Sequence, residues 1–252
     1  TGCIVSQSTE TIDPAQVRSK LVTSFDAKRS SIKVGYHYKP PAATSSRALA
    51  EQASFLILTK KDESFRDEVR AAGYTGQVLQ YMLGNEVDGP RTKQGAPTCD
   101  ATYKPYANQV ADEVGDFCTY INPNEDWFLH NGKGERLYDG ERRYYHMNPG
   151  SAGWRAFVLE RLKRSVAGDA QRPPLGYDGL FIDNIELTLY KKLNQLDQSD
   201  GAVQEYADEA TYREAWRGWL EYMRNGLGPS VPVWGNLIAG TNTADEWNLY
   251  LP

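Results

Sequence analysis

The sequence predicts an α/β protein: a (β/α)8 barrel of the TIM type, truncated at the C-terminus, with about five of the eight βα units present. Three observations carry this reading. Strand-length apolar segments alternate with helix-length amphipathic ones, the pattern of a parallel sheet covered by helices. The turn after the first strand is Pro-rich, whereas a doubly wound nucleotide-binding sheet needs a Gly-rich turn there; neither G-x-G-x-x-G nor a P-loop Lys occurs, and Gly132-Lys133-Gly134 is only a fragment. Five strands occupy residues 32–237, so eight units at that spacing would exceed the ~250 residues typical of the fold, and the remaining strands are expected beyond Pro252. Residues 1–30 are read as a tether or tail and 31–252 as the incomplete barrel.

In order along the chain, residues 32–38 form the first strand, stopped by Pro40-Pro41, which cannot donate to a ladder. A short helix over 47–53 precedes a strand at 55–59, apolar throughout as burial on both faces requires. Residues 63–72 form a charged helix ending at Gly73, where a left-handed cap is expected. The third strand is 77–83. A long stretch to Met147 follows, irregular except for a helix over 106–117; such loops are where barrel enzymes build their sites. Asn148 as N-cap and Pro149 at the first position begin the next helix, with Trp154, Phe157, Val158, Leu162 and Val166 on one face. Residues 177–184 form the fourth strand. A second amphipathic helix, carrying Tyr212, Trp216, Trp219 and Met223, ends at 226–229, and 231–237 is the fifth strand.

A net charge of −5 excludes a dominant phosphate-binding surface, since nucleic-acid affinity comes from clustered Lys and Arg. No apolar run reaches the ~20 residues that cross a bilayer. Thr1-Gly2-Cys3 resembles the end of a bacterial lipoprotein signal, without its usual Leu, so membrane attachment is expected only through lipidation of Cys3; the competing reading is a free thiol in a loose tail. In an exported protein Cys99 and Cys118 could pair, whereas in a reducing compartment they would be free. The three His residues are far apart and neither Cys has zinc-site spacing, so no metal or other cofactor is expected. The chain is read as an exported monomer.

A carboxylate that ends an otherwise apolar strand is costly unless it has work or a partner, and in a barrel that end faces the active site. Asp183, after Leu180-Phe181-Ile182, is that residue; alternation puts it on the face of Gly179 and Phe181. Glu186, three residues on, is a second catalytic candidate. The competing readings are a helix cap or a buried Asp paired with Lys. Substrate contacts are expected from Tyr36, His37 and Tyr38 after strand one, Gln80, Tyr81 and Glu86 around strand three, Trp127 and His130 in the long loop, Asn184 beside Asp183, and Asn236 on strand five. Sugars bind on aromatic platforms and through planar polar side chains, and these are the types present. Trp154, Trp216 and Trp219 lie on helix faces and are read as core.

Tyr36-His37-Tyr38-Lys39-Pro40-Pro41, Asp126-Trp127-Phe128-Leu129-His130, Met147-Asn148-Pro149-Gly150 and the strand from Gly176 to Asn184 together resemble the glycosyl hydrolase barrels similar in layout to the endo-α-1,4-polygalactosaminidases. The resemblance implies a two-carboxylate glycosidase acting on a polysaccharide or glycoconjugate. Asp183 would be one partner and a Glu on a later strand, beyond Pro252, the other. A non-catalytic carbohydrate-binding surface lipoprotein is the alternative; a lyase or epimerase on the same barrel is a third possibility.

Overall fold

The computed structural model describes residues 34–38, 45–90, 99–106 and 108–238. The chain runs β1 (Val34–Tyr38), α1 (Ser46–Gln52), β2 (Ala53–Leu58), α2 (Glu63–Ala71), β3 (Gln77–Leu83), β4 (Glu86–Asp88), a π-helical turn (Asp116–Ile121), β5 (Tyr138–Asp139), β6 (Tyr144–His146), α3 (Ala152–Ala167), β7 (Gly179–Glu186), α4 (Tyr190–Asn194), α5 (Glu209–Leu227) and β8 (Val233–Ile238). Five strands form one sheet in the order β1-β2-β3-β7-β8. The pairs β2–β3, β3–β7 and β7–β8 are parallel. Neighbours follow chain order without the reversal that creates a doubly wound switch point.

Alternation sorts the strand residues onto two faces. Leu56, Leu58 and Val78 pack with Val69 of α2, and Met82, Leu180 and Ile182 join Trp154, Trp216 and Trp219 of α3 and α5. The opposite face carries Ile57, Leu79, Tyr81 and Leu83, with Phe55, Tyr144 and Phe181 against them. That face is concave. Two strands separate β2 from β8, which in a flat sheet sets them ~14 Å apart; yet the rings of Phe55 and Trp234 are 5.0 Å apart. Gly35 makes room for this curl, since a Cβ there would stand 2.1 Å from the Phe55 ring. The fold is thus a curled parallel α/β sheet with helices on its outer face, a barrel wall in part.

Two expected elements differ. The expected helix over 106–117 is not formed at residues 108–115: their backbone serves the sheet, with Leu83 donating to the Asn108 carbonyl at 3.0 Å and Gln109 bridging to Leu83. Gly115, at φ 80°, then turns the chain into the π-helical segment. Helix α3 begins later than Asn148-Pro149. Ser151 is its cap, accepting from the Trp154 N–H at 3.3 Å, while Asn148 closes a local turn on the Gly150 N–H at 2.9 Å. A three-stranded antiparallel sheet, β4-β6-β5, has no counterpart in the sequence pattern, because its strands are two or three residues long, too short to leave a periodic signal. Cys99 and Cys118 form a disulfide, with Cα atoms 5.3 Å apart, tying the long loop to the π-helical turn.

Candidate active site

Asp183 lies on the concave, helix-free face opposite Leu83 of β3, inside β7 rather than at its expected end, since the strand resumes after an irregularity and runs on to Glu186. Three donors from three sources hold its carboxylate. The Tyr81 hydroxyl donates to Oδ2 at 2.6 Å, the Asn236 side chain to Oδ1 at 2.8 Å, and the Asn184 N–H to Oδ1 at 2.9 Å. Tyr81 reaches it because Tyr81 and Phe181 sit opposite each other in register and stack, centroids 6.1 Å apart. Such a group, fixed in orientation yet half-buried rather than sealed, can present its charge to a ligand in the concavity.

The Asn184 N–H points back at Asp183 because the strand is irregular there. Register shifts between Ile182 and Ile185, and Asn184 takes φ 56°, a left-handed conformation that Asn tolerates better than most residues. Its side chain is held from the other side by Glu86 Oε2, 3.1 Å away. Asn184, expected to bind substrate, is therefore engaged in positioning Asp183.

Behind Asn184 lies a sealed ionic cluster. Glu86 is completely buried, with Lys191 Nζ 3.3 Å from its carboxylate. Glu186 contacts Lys192, also completely buried, and lies 3.7 Å from Lys191. Burial brings the Lys192 ammonium down to about 8, against the pull of Glu86 and Glu209. His146 is sealed in the same place with neither ring nitrogen hydrogen-bonded among the described residues. Burial, reinforced by the two lysines, holds it well below the ordinary imidazole range, so it is neutral. Donor atoms of Glu86, His146 and Glu186 come within 4.8 Å of one another, a metal-type grouping that sequence spacing hid, although two ammonium groups share it and offset both carboxylates. Glu186, expected as a second catalytic carboxylate, and Glu86, expected on substrate, are both engaged here.

Other expected contacts are placed elsewhere. Gln80 is buried, and its neighbours Leu79 and Tyr81 both pack on the concave side, so it points to the helix-covered face. Trp127, expected in an exposed loop, packs its ring 5.4 Å from Phe157 and 5.9 Å from Trp154. The neighbours of Trp127 are solvated, but its ring closes the end of α3. His130 is buried and clamped between Glu205, 2.6 Å from Nδ1, and Glu125, 2.8 Å from Nε2. Those bonds, Glu205 first, raise its proton affinity. The side chains of Tyr36, His37 and Tyr38, and Cys3, fall outside the described residues. The structure thus brings together Tyr81, Asp183 and Asn236.

Comparison with known proteins adds the following. The sequence pattern of hypothetical glycosyl hydrolase family 15 matches residues 99–248. Curated proteins give no match. Among solved structures, the glycoside hydrolase domain of PelA from Pseudomonas aeruginosa is similar at 14% identity and a TM-score of 0.45, over 81% of this chain and 59% of that one. Ega3 of Aspergillus fumigatus, solved with galactosamine, is similar at 12% identity and a TM-score of 0.40, over 79% and 55%. The α-galactosidase TtGalA from Thermus thermophilus is similar at 12% identity and a TM-score of 0.42, over 82% and 38%. The chain spans less than two thirds of the length of each.

Proposed function

We infer, from the premise that the chain belongs to hypothetical glycosyl hydrolase family 15, that it hydrolyses glycosidic bonds of a polysaccharide or glycoconjugate, with Asp183 as nucleophile or general base. The observation that supports this is the Asp183 carboxylate on the concave face, oriented by Tyr81, Asn236 and the Asn184 N–H. Breaking a glycosidic bond requires a proton on the leaving oxygen and negative charge, or an activated water, beside the developing oxocarbenium ion. Asp183 suits the second task. Glu186 does not suit the first, because it is buried against Lys192. The reading therefore assigns the proton donor to a later strand of an eight-unit barrel, outside residues 34–238. Its distance from Asp183 would set the outcome, about 5 Å for retention and roughly 6.5–9.5 Å for inversion. Export fits the Cys99–Cys118 disulfide; lipidation at Cys3 and a monomeric state complete the proposal.

The experiment is a polysaccharide panel, scored by release of reducing ends, on the full-length protein and its Asp183→Asn variant. The variant is expected to lose at least ~10³-fold in turnover while still binding the glycan, since the swap keeps shape and removes charge. Unchanged turnover sinks the assignment. Glycan binding without cleavage by either protein would favour the non-catalytic surface protein.

A further inference from the structure

A cavity of about 430 Å³ has Thr59, Lys61, Lys104, Tyr106, Asn108 and Tyr144 in its walls. That volume falls in the range of small-ligand sites. Thr59 directly follows β2, and Tyr144 packs against the cluster of Ile57, Tyr81 and Leu83. The cavity therefore sits at the C-terminal end of β2 beside the concave-face cluster, with neither Tyr81 nor Asp183 in its walls.

Its charge is unusual for this chain. Lys61 and Lys104 are exposed and form no ion pair among the described residues. Of the acidic groups nearby, Asp62 accepts from the Thr59 N–H and hydroxyl and has no ion pair among the described residues, one carboxylate against two ammonium groups, while the others are matched. Asp112 takes Lys60 at 3.1 Å, Glu113 takes Arg164 and Arg172, and Asp88 takes Arg143 at 3.3 Å. In a protein of net charge −5, the unbalanced charge at this cavity is thus positive. Tyr106, 51% exposed, and the half-buried Tyr144 supply aromatic surface for the C–H face of a pyranose. The Arg143 guanidinium lies 5.1 Å from the Tyr106 ring centre and helps hold that ring.

We propose that this cavity is a subsite for an acidic sugar, in which Lys61 and Lys104 bind the carboxylate of a uronic acid residue while Tyr106 and Tyr144 carry its ring. The inference rests on reading the concave face as a glycan cleft and adds the substrate class. A neutral or amine-bearing sugar would leave both ammonium groups unmatched.

The test is saturation-transfer NMR on the wild-type protein with galacturonate and glucuronate against galactose, glucose and galactosamine. Uronates are expected to bind in preference to their neutral parents by roughly five- to tenfold, the worth of two partly exposed charge contacts. The preference should fall in 0.5 M salt by screening and vanish in Lys61→Ala/Lys104→Ala, whose surface changes leave the fold intact. Equal or stronger binding of neutral or amine-bearing sugars overturns the proposal, as does a uronate preference that survives the double substitution. The outcome is separable from the proposed reaction. Lysine-dependent uronate binding without cleavage of any glycan sinks the hydrolase reading alone, and cleavage of neutral glycans with no uronate binding sinks the subsite alone.

Discussion

The Tyr81 hydroxyl donates to Asp183 Oδ2 across 2.6 Å, joining two neighbouring parallel strands on their concave face. Tyr81→Phe removes one hydroxyl and leaves the stacked ring on Phe181 in place. Asp183 keeps its other two donors, so its orientation loosens without being lost. Turnover is expected to fall about tenfold, the worth of one hydrogen bond to a charged group, with KM little changed. A KM effect with constant kcat would place Tyr81 on the substrate instead.

Asn184 links Asp183 to the sealed ionic cluster, and its two contributions can be separated. Replacement by Ala loses the amide that Glu86 accepts and forces a side chain into the left-handed region. A cost of about 2–4 kcal/mol is expected, from backbone strain and a buried carboxylate short of a donor. Asn184→Gly keeps the backbone conformation at no steric cost and should lose roughly half as much. Urea unfolding of the two variants decides the matter: equal losses would mean that the left-handed conformation stores no strain.

Much of this was legible because apolar strands announce themselves. The run 77–83 lies between Gly76 and Gly84 and is a strand over those same residues, and Asp183 and Asn236 stood out as polar residues following apolar runs, although β7 and β8 continue past them. Parallel pairing then made them neighbours, which alternation along a strand anticipates. What sequence could not show depends on long-range burial. Glu86 sits in a Gly- and Asp-rich stretch that reads as a solvated turn, yet Lys191, 105 residues away, seals it. His146 is drawn beside Glu86 by strands too short to detect. Trp127 misled because solvated neighbours say nothing of where one large ring points.

The Cys99–Cys118 bridge closes a loop with a sequence separation of 19. Loop-closure entropy makes such a link worth about 3 kcal/mol. Cys118→Ser, or reduction of the wild type, should lower unfolding free energy by roughly that amount. Because the bridge lies in the loop rather than at Asp183, glycan binding below the new melting temperature should persist. Loss of binding in parallel with the disulfide would show that this loop shapes the cleft.

The two buried histidines predict opposite limbs of the stability profile. His130 holds its proton more tightly in the fold, through Glu205 and then Glu125, so its contribution is full below about pH 6.5 and is lost as pH rises through its higher folded value. His146 is kept neutral by burial, so the unfolded chain takes up the proton first. Its contribution is therefore full above about pH 6.5 and is lost as pH falls. The Glu125 carboxylate, brought to about 2 by Arg136 first and by His130, acts only further down, its contribution being lost below about pH 4.5. Urea unfolding between pH 5 and 8 should show His130→Gln flattening the alkaline limb and His146→Leu the acid limb. If either variant merely shifts the whole curve without changing its slope, that histidine does not change its proton binding on folding.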